Sequence, residues 1–474
     1  MTQAAPARAP TPTPAAPKPP TAEAKPAAST EFPPPVRATI GWLERRFAAW
    51  YRDHPPPMPD RFTRREFGFI LWPERPGPPP FVRHRAYESS ERLHGYLRQG
   101  GPHSVYYSTA YYRRPGEMKM LDKQWLGAEL IFDLDADHLA EVEAAKERGV
   151  EVPVERQLEL VKGQFLRLIE EFLMGDFGLA ERDILINFSG SRGYHAHVTE
   201  PGLMALDAKG RREVVDYVTG KFPIAKGDET PDLSSIIQRE PRKADAFRGH
   251  VSKEEAVLFP TPDQPGWPGR LARQVIEMIE RNVLDNDPAA AREWLCGRDE
   301  KGRKRFEGIG PQKADDFLRV MTRERLGRYL QGYMDRQGQL RGKGELTGSA
   351  GAGRVVEIVF EAAASRWALP LARGETDEPV TADTKRLIRL PGSLHGKSGL
   401  KAVPLRLDEV KAFDPFREAV AFGKDAVRIT PRNDAEVTLA GERVAVRKGE
   451  AVEIPEAHAV WLLARQQGTV AANR

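Results

Sequence analysis

Apolar residues recur at helical intervals from Ile40 to Trp50, which predicts a helix there. Arg65–Trp72 then reads as a strand closed by Pro73, and Val105–Ser108 as a further short β segment. The run Glu129-Leu130-Ile131-Phe132 is strand-like and ends in acids at alternate positions, Asp133, Asp135 and Asp137. A long helical pattern follows, from about Leu139 to Met174. The strand Ile184–Phe188 leads straight into Ser189-Gly190-Ser191-Arg192-Gly193. Residues 206–345 are richer in helical pattern and charge, with Pro-rich breaks around 259–268. A Gly-rich break at Gly348–Gly353 follows, and Val355–Ala364 fits either helix or strand. From about 426 the pattern is short strands and turns, such as Glu436–Leu439 and Arg443–Val446, before an apolar helix at Ala457–Arg465. The order is mixed α+β, without internal repeats or regular βαβ alternation.

These patterns suggest a division. Residues 1–35, dominated by Pro, Ala and Thr, cannot form a core and are expected to be a disordered tail. Residues 36–205 and 346–425 are expected to form two parts of one core, separated by a mostly helical lobe at 206–345. A small β/α segment at 426–474 completes the division.

Composition narrows the class. In 474 residues, 40% hydrophobic and 30% charged content describes a soluble protein of more than one domain. No apolar run is long enough to cross a membrane, and the N-terminus has no signal-peptide core, so a cytoplasmic protein is expected. The single cysteine, Cys296, excludes an intrachain disulfide and a cysteine-built zinc site. A net charge of +4 is weak evidence for nucleic acid. Local pairs such as Arg64-Arg65, Arg113-Arg114 and Arg211-Arg212, and the group Arg239, Arg242 and Lys243, mostly read as solvated surface charge.

Three clusters carry candidate chemistry. Asp133 and Asp135 are two apart on a strand and share a face. Two neighbouring carboxylates repel unless a cation or proton lies between them, and oxygen-only ligands suit Mg²⁺ or Mn²⁺. Alone, the run equally fits a strand ending in an Asp-rich turn. The second cluster is Ser189 to His197. Its glycines permit a tight backbone turned toward an anion, and Ser189, Ser191, Arg192 and His195 add donors. The plainer alternative is a Gly-rich β-turn with a surface arginine. The third, Asp377 to Lys397, offers acids, a basic strand with Arg389, and a Pro-Gly turn carrying His395. Its acid could complete a metal cage; otherwise it is an ordinary charged connection.

Taken together, the three clusters resemble the small, catalytic subunit of archaeal and eukaryotic-type DNA primases, the archaeal form most closely. The resemblance runs from about residue 40 onward and is weakest at 206–345. It rests on the Phe-Asp-x-Asp strand, the Ser-Gly-x-Arg-Gly-x-His loop and the later Asp, in that order. Flanks such as Tyr107-Ser108-Thr109-Ala110-Tyr111-Tyr112, Lys123-Gln124-Trp125 and Arg386-Leu387-Ile388-Arg389-Leu390-Pro391-Gly392-Ser393-Leu394-His395-Gly396-Lys397 add to it.

The resemblance implies a primase catalytic fold, with mixed sheets around an acidic site. It implies that Asp133, Asp135 and Asp377 hold two divalent ions, Mg²⁺ or Mn²⁺, with Asp383 the rival third acid and Asp137 a supporting or surface acid. Ser189, Ser191, Arg192, His195, Arg389 and His395 would grip the triphosphate of an incoming nucleotide. The implied reaction is DNA-templated synthesis of short primers in replication, from NTPs or alternatively dNTPs, on a single-stranded DNA template. The implied partner is a primase large subunit. The chain departs from the family in one respect: many members carry a Cys/His zinc knob, which one cysteine cannot build, and His250 has no obvious partners.

Three other readings stand beside this one. A primase-polymerase or end-joining repair polymerase of the same superfamily would share the acids and the His-bearing loop. A phosphatase of the Asp-x-Asp type normally has Thr or Val where this chain has Asp137. A non-catalytic nucleic-acid-binding subunit sits badly with a complete acidic set.

Overall fold

The computed structural model describes residues 31–224, 231–241, 255–299, 302–331, 333–334, 340–341 and 352–471. The tail up to residue 30, Arg242, Lys243, His250 and the glycine-rich break up to Gly351 lie outside the described residues.

The first helix, α1 (Pro34–Asp53), starts earlier than the apolar spacing indicates. Proline costs nothing in a first turn, where its missing N–H would have no partner. Thr39, Leu43, Phe47 and Tyr51 recur every four residues and are its buried face. After it come β1 (Phe67–Ile70), β2 (Phe81–Arg85), α2 (Ser90–Gly100) and β3 (Ser104–Ser108). The Ser89 hydroxyl caps α2 by accepting the Arg92 N–H.

A ribbon of β4 (Ala110–Tyr112) and β5 (Trp125–Ala128) leads into β6 (Leu130–Asp135). The helical pattern expected over 139–174 is interrupted. It splits into α3 (Ala140–Glu147) and α4 (Val154–Arg167), and α4 continues into a wider π-type coil at Leu168–Asp176. Gly149, at φ 74°, and Pro153 supply the break. The strands β7 (Ile184–Phe188) and β8 (Gly193–Val198) form a hairpin.

Further along, two ribbons accompany the helices Gly266–Ile279, Pro288–Cys296, Pro311–Val320 and Arg323–Gln331. These are β9 (Gln238–Pro241) with β10 (Glu255–Leu258), and β11 (Tyr333–Met334) with β12 (Leu340–Arg341). The ambiguous stretch near 355 is helical, Ala352–Ala363. Then come β13 (Leu387–Arg389), β14 (Val403–Leu405), β15 (Ala426–Pro431), β16 (Ala435–Leu439), β17 (Glu442–Val446), β18 (Val452–Pro455), the helix Glu456–Ala464 and β19 (Gly468–Val470).

Two four-stranded antiparallel sheets position the site. Their orders are β13-β3-β1-β2 and β14-β7-β8-β6. In the second, Asp133 stands opposite His195, and His195 opposite Asn187. Residues opposite one another on neighbouring strands share a face, so these three side chains form one row.

Glu129, just before β6, ties the two sheets together. Its carboxylate pairs with Arg65, accepts the Tyr111 hydroxyl at 2.8 Å, and meets His197 Nδ1 at 2.9 Å. Arg211 donates to the Glu129 and Ala128 carbonyls at 2.9 and 2.7 Å.

The apolar core is continuous, running through Phe47, Phe69, Phe132, Phe165, Tyr194, Trp267, Phe360 and Leu462. α1 packs on β19 and on the helix Glu456–Ala464, with Arg46 paired to Glu456. The fold is mixed α/β with several small antiparallel sheets. Among the described residues no helix is long and apolar enough to cross a membrane.

Candidate active site

β6 delivers Asp133 and Asp135 to one end of its sheet. Asp377 arrives from far along the chain and docks by its backbone, its N–H donating to the Asp133 carbonyl at 3.0 Å. It stands just ahead of the short helical turn Glu378–Ala382. The three acids line one cavity of about 290 Å³, together with His138, Glu143, Lys221, Arg373 and Glu375. Asp383 does not line it; its carboxylate accepts the Lys385 N–H at 2.8 Å and closes a local turn.

Burial, and then the charges of Asp135 and Asp377, push the Asp133 carboxyl up to about 7, against the pull of Arg386 and Arg389. His195 Nε2 lies 3.4 Å from Asp133 Oδ1. Burial, with His197, Arg389 and Arg386 nearby, holds the His195 imidazole well below its ordinary range, so it is neutral at pH 7. Its Nδ1 is buried without a hydrogen-bond partner.

The Ser189–Arg192 loop joins β7 to β8. The Ser189 oxygen accepts the N–H groups of Ser191 and Gly193 at 3.3 and 3.2 Å, which shapes the turn. Gly190 has φ 82°, and a Cβ there would stand 3.0 Å from the His395 Cβ. Glycine is therefore what lets the second cluster rest against the third. The Ser398 hydroxyl locks the contact by donating to the Gly190 carbonyl.

Arg192 pairs with Asp137 and reaches Gln157 Oε1 at 3.5 Å, so Asp137 is its counter-ion. Arg389 lies over the Tyr106 ring, 4.7 Å from its centroid, and donates to the Tyr106 hydroxyl at 3.1 Å. Its Nη1 is buried and unpartnered. His395 is half-buried, and its Nδ1 accepts the Lys397 N–H at 3.2 Å. Burial, then Arg389 and His103, holds it well below its usual range.

Of the residues in or beside this site that went unassigned in the sequence, three stand out. Arg386 acts electrostatically on both Asp133 and His195. Glu375 lines the acidic cavity and accepts the Ala140 N–H at 3.2 Å. Its place two residues before Asp377 is the alternate spacing that marked Asp133 and Asp135. Lys221 pairs with Glu378, and with Asp216 at 3.2 Å; no local motif marks it.

The donors Asp133, Asp135 and Asp377 are all oxygens, and burial together with the charges of Asp135 and Asp377 outweighs Arg386 and Arg389 in raising the Asp133 carboxyl. That chemistry fits a hard divalent cation. Among the described residues, however, no group of three His, Cys, Asp or Glu side chains is gathered tightly enough to be a preassembled metal cage.

Comparison with known proteins agrees with the resemblance. The family model described as DNA primase small subunit matches residues 132–407, a span that includes every candidate site residue. The chain is 36% identical over 427 residues to the DNA primase small subunit PriS of Methanothrix thermoacetophila, covering 90% of this chain and 98% of that one. It is 34% identical over 427 residues to the PriS of Methanocella arvoryzae, with 90% and 97% covered. The PriS of Methanococcoides burtonii is 32% identical over 426 residues, with 90% and 96% covered. The chain belongs to the DNA primase small subunit family.

Proposed function

We propose that this primase, a nucleotidyltransferase of DNA replication, joins nucleotides at the cavity of Asp133, Asp135 and Asp377. The single observation that carries this reading is the convergence of those three acids, with His195 on Asp133. In the proposed reaction a nucleotide 3′-oxygen bonds to the α-phosphorus of an incoming NTP. The bond from that phosphorus to the bridging oxygen breaks, and pyrophosphate leaves.

Asp133, Asp135 and Asp377 would hold two divalent ions, Mg²⁺ or Mn²⁺. Bound there, such ions supply acidification of the 3′-hydroxyl and neutralisation of the leaving group. The remaining work is positioning and charge stabilisation. Arg389 presents a fixed cation with a free buried N–H. His195 and His395, being neutral, contribute hydrogen bonds rather than charge. Ser189 and Ser191 shape the loop, and Arg192 exchanges its Asp137 partner for the triphosphate. The core is built from 36–205 and 346–425, split by the lobe 206–345 and followed by 426–474; the docking of Asp377 on Asp133 across that lobe supports the division. A primase large subunit is the proposed partner, and single-stranded DNA the template.

The test is primer synthesis on single-stranded DNA with Mg²⁺ or Mn²⁺ and labelled NTPs or dNTPs. It uses the chain with and without a large subunit, beside an Asp133→Ala/Asp135→Ala double variant. New oligonucleotides from the wild type alone are expected. Absence of product from a folded chain with its partner would overturn the reading. Product made only from a supplied primer would instead favour an extension polymerase of the same superfamily.

A further inference from the structure

We propose that the β4–β5 ribbon and the loop closing it form the platform on which the single-stranded template lies, with Trp125 stacking on a base and Arg113 and Arg114 contacting phosphates. This rests on the primase reading and adds a surface for its template.

Nine large apolar side chains are exposed among the described residues, and four of them fall between positions 118 and 126. Met118 is 72% exposed, Leu121 90%, Trp125 39% and Leu126 51%. Single exposed apolar residues are ordinary, but such a cluster marks a contact surface. The loop is also rigidly built. The Arg113 and Arg114 N–H groups bond across it to Gln124 and Lys123 carbonyls, each at 3.0 Å. Lys123 is fully buried beneath it, where it reaches the Pro115 carbonyl, stands 3.4 Å from Glu66 Oε2, and lies 5.4 Å from the Tyr112 ring centroid. Burying an ammonium is costly unless it is paired. Here that burial fixes a loop whose apolar side chains point outward.

The surroundings select nucleic acid. Arg64, Arg113, Arg114, Lys119 and Lys385 are exposed around the ribbon, and Arg64 donates to the Arg113 carbonyl at 3.1 Å. With Arg386 they outnumber the acids Glu117, Asp122 and Asp383 two to one. A protein interface core is depleted in charge. A single strand, by contrast, asks for stacking faces interleaved with cations.

Location agrees. The Trp125 indole donates to the Thr384 carbonyl at 3.2 Å, two residues from Arg386, and β5 runs on into the strand of Asp133. Arg386 has no ion pair among the described residues. A strand laid on Trp125 therefore passes a free cation on its way to the acids.

The experiment measures fluorescence anisotropy of a labelled oligo-dT strand with the full chain at several salt concentrations, with thermal unfolding of each variant as a control. Trp125→Ala is expected to weaken binding roughly tenfold, and Trp125→Phe to restore most of it. Leu121→Ser, at a fully solvated position that leaves the fold intact, is expected to weaken binding severalfold. Arg113→Gln with Arg114→Gln is expected to flatten the salt dependence of log affinity by about 0.7 for each phosphate left without its arginine. Wild-type affinity and salt slope in the Leu121 and arginine variants would overturn the proposal. If those variants instead lost association with the large subunit, the surface would be a protein interface. A wild-type chain that binds the strand but makes no primer would sink the function above without touching the platform.

Discussion

At the residue scale, the acidic cavity gathers charge that folding does not use. Asp133 is pushed up to about 7 by burial and by Asp135 and Asp377, so removing its carboxylate relieves repulsion. Asp133→Asn is expected to lower primer synthesis at least a hundredfold, yet leave the melting temperature without metal unchanged or higher. A clear loss of stability in that variant would contradict the electrostatic account. Glu129 behaves oppositely. Burial alone would raise its pKa, but the His197 hydrogen bond and the Arg65 charge outweigh burial and hold it at about 2. Its folded value lies below its unfolded one, so its contribution, ~3 kcal/mol, is fully present above about pH 4.5 and lost as pH falls toward 2. Urea unfolding at pH 6, 4 and 3 measures that loss. Glu129→Gln, which strands a buried Arg65, should abolish the pH dependence and cost about 3–5 kcal/mol.

At the element scale, the alternate acids at the end of β6 and the apolar run of β7 made those strands legible. The Ser189–Gly193 turn was legible through its glycines. Gly190→Ala tests why one of them is there. With φ 82° and the His395 Cβ in the way, alanine is expected to cost about 1–2 kcal/mol and raise the KM for nucleotide more than it lowers kcat. Equal stability and KM would mean that the contact between the second and third clusters is idle. The single long helix expected over 139–174 failed for a reason visible in hindsight: apolar spacing continues across Gly149 and Pro153, which nevertheless break the backbone. Asp377 could be nominated from the sequence, but its backbone bond to Asp133 could not, because no local pattern encodes a tertiary contact. Arg386, read in the sequence only as part of a flank, was given no role there because its effect on the acids is electrostatic and follows from proximity alone.

At the scale of the whole molecule, the continuous apolar core means that the proposed divisions are not independent folding units. A chain lacking residues 456–471 would strip from α1 the cover of β19 and of the helix Glu456–Ala464, with the Thr39 and Arg46 contacts. It is expected to lose its cooperative thermal transition throughout, including the near-ultraviolet signal of the two four-stranded sheets. A truncated chain that kept an undiminished transition would show the C-terminal segment to be an appendage.

The same packing of α1 on β19 has a consequence during synthesis. The Val470 N–H meets the Thr39 hydroxyl across 431 residues of chain. A ribosome adding 5–20 residues per second needs roughly 20–90 s to travel that distance. For all of that time the apolar stripe of α1 waits for part of its cover, so the nascent protein is a client for holding chaperones.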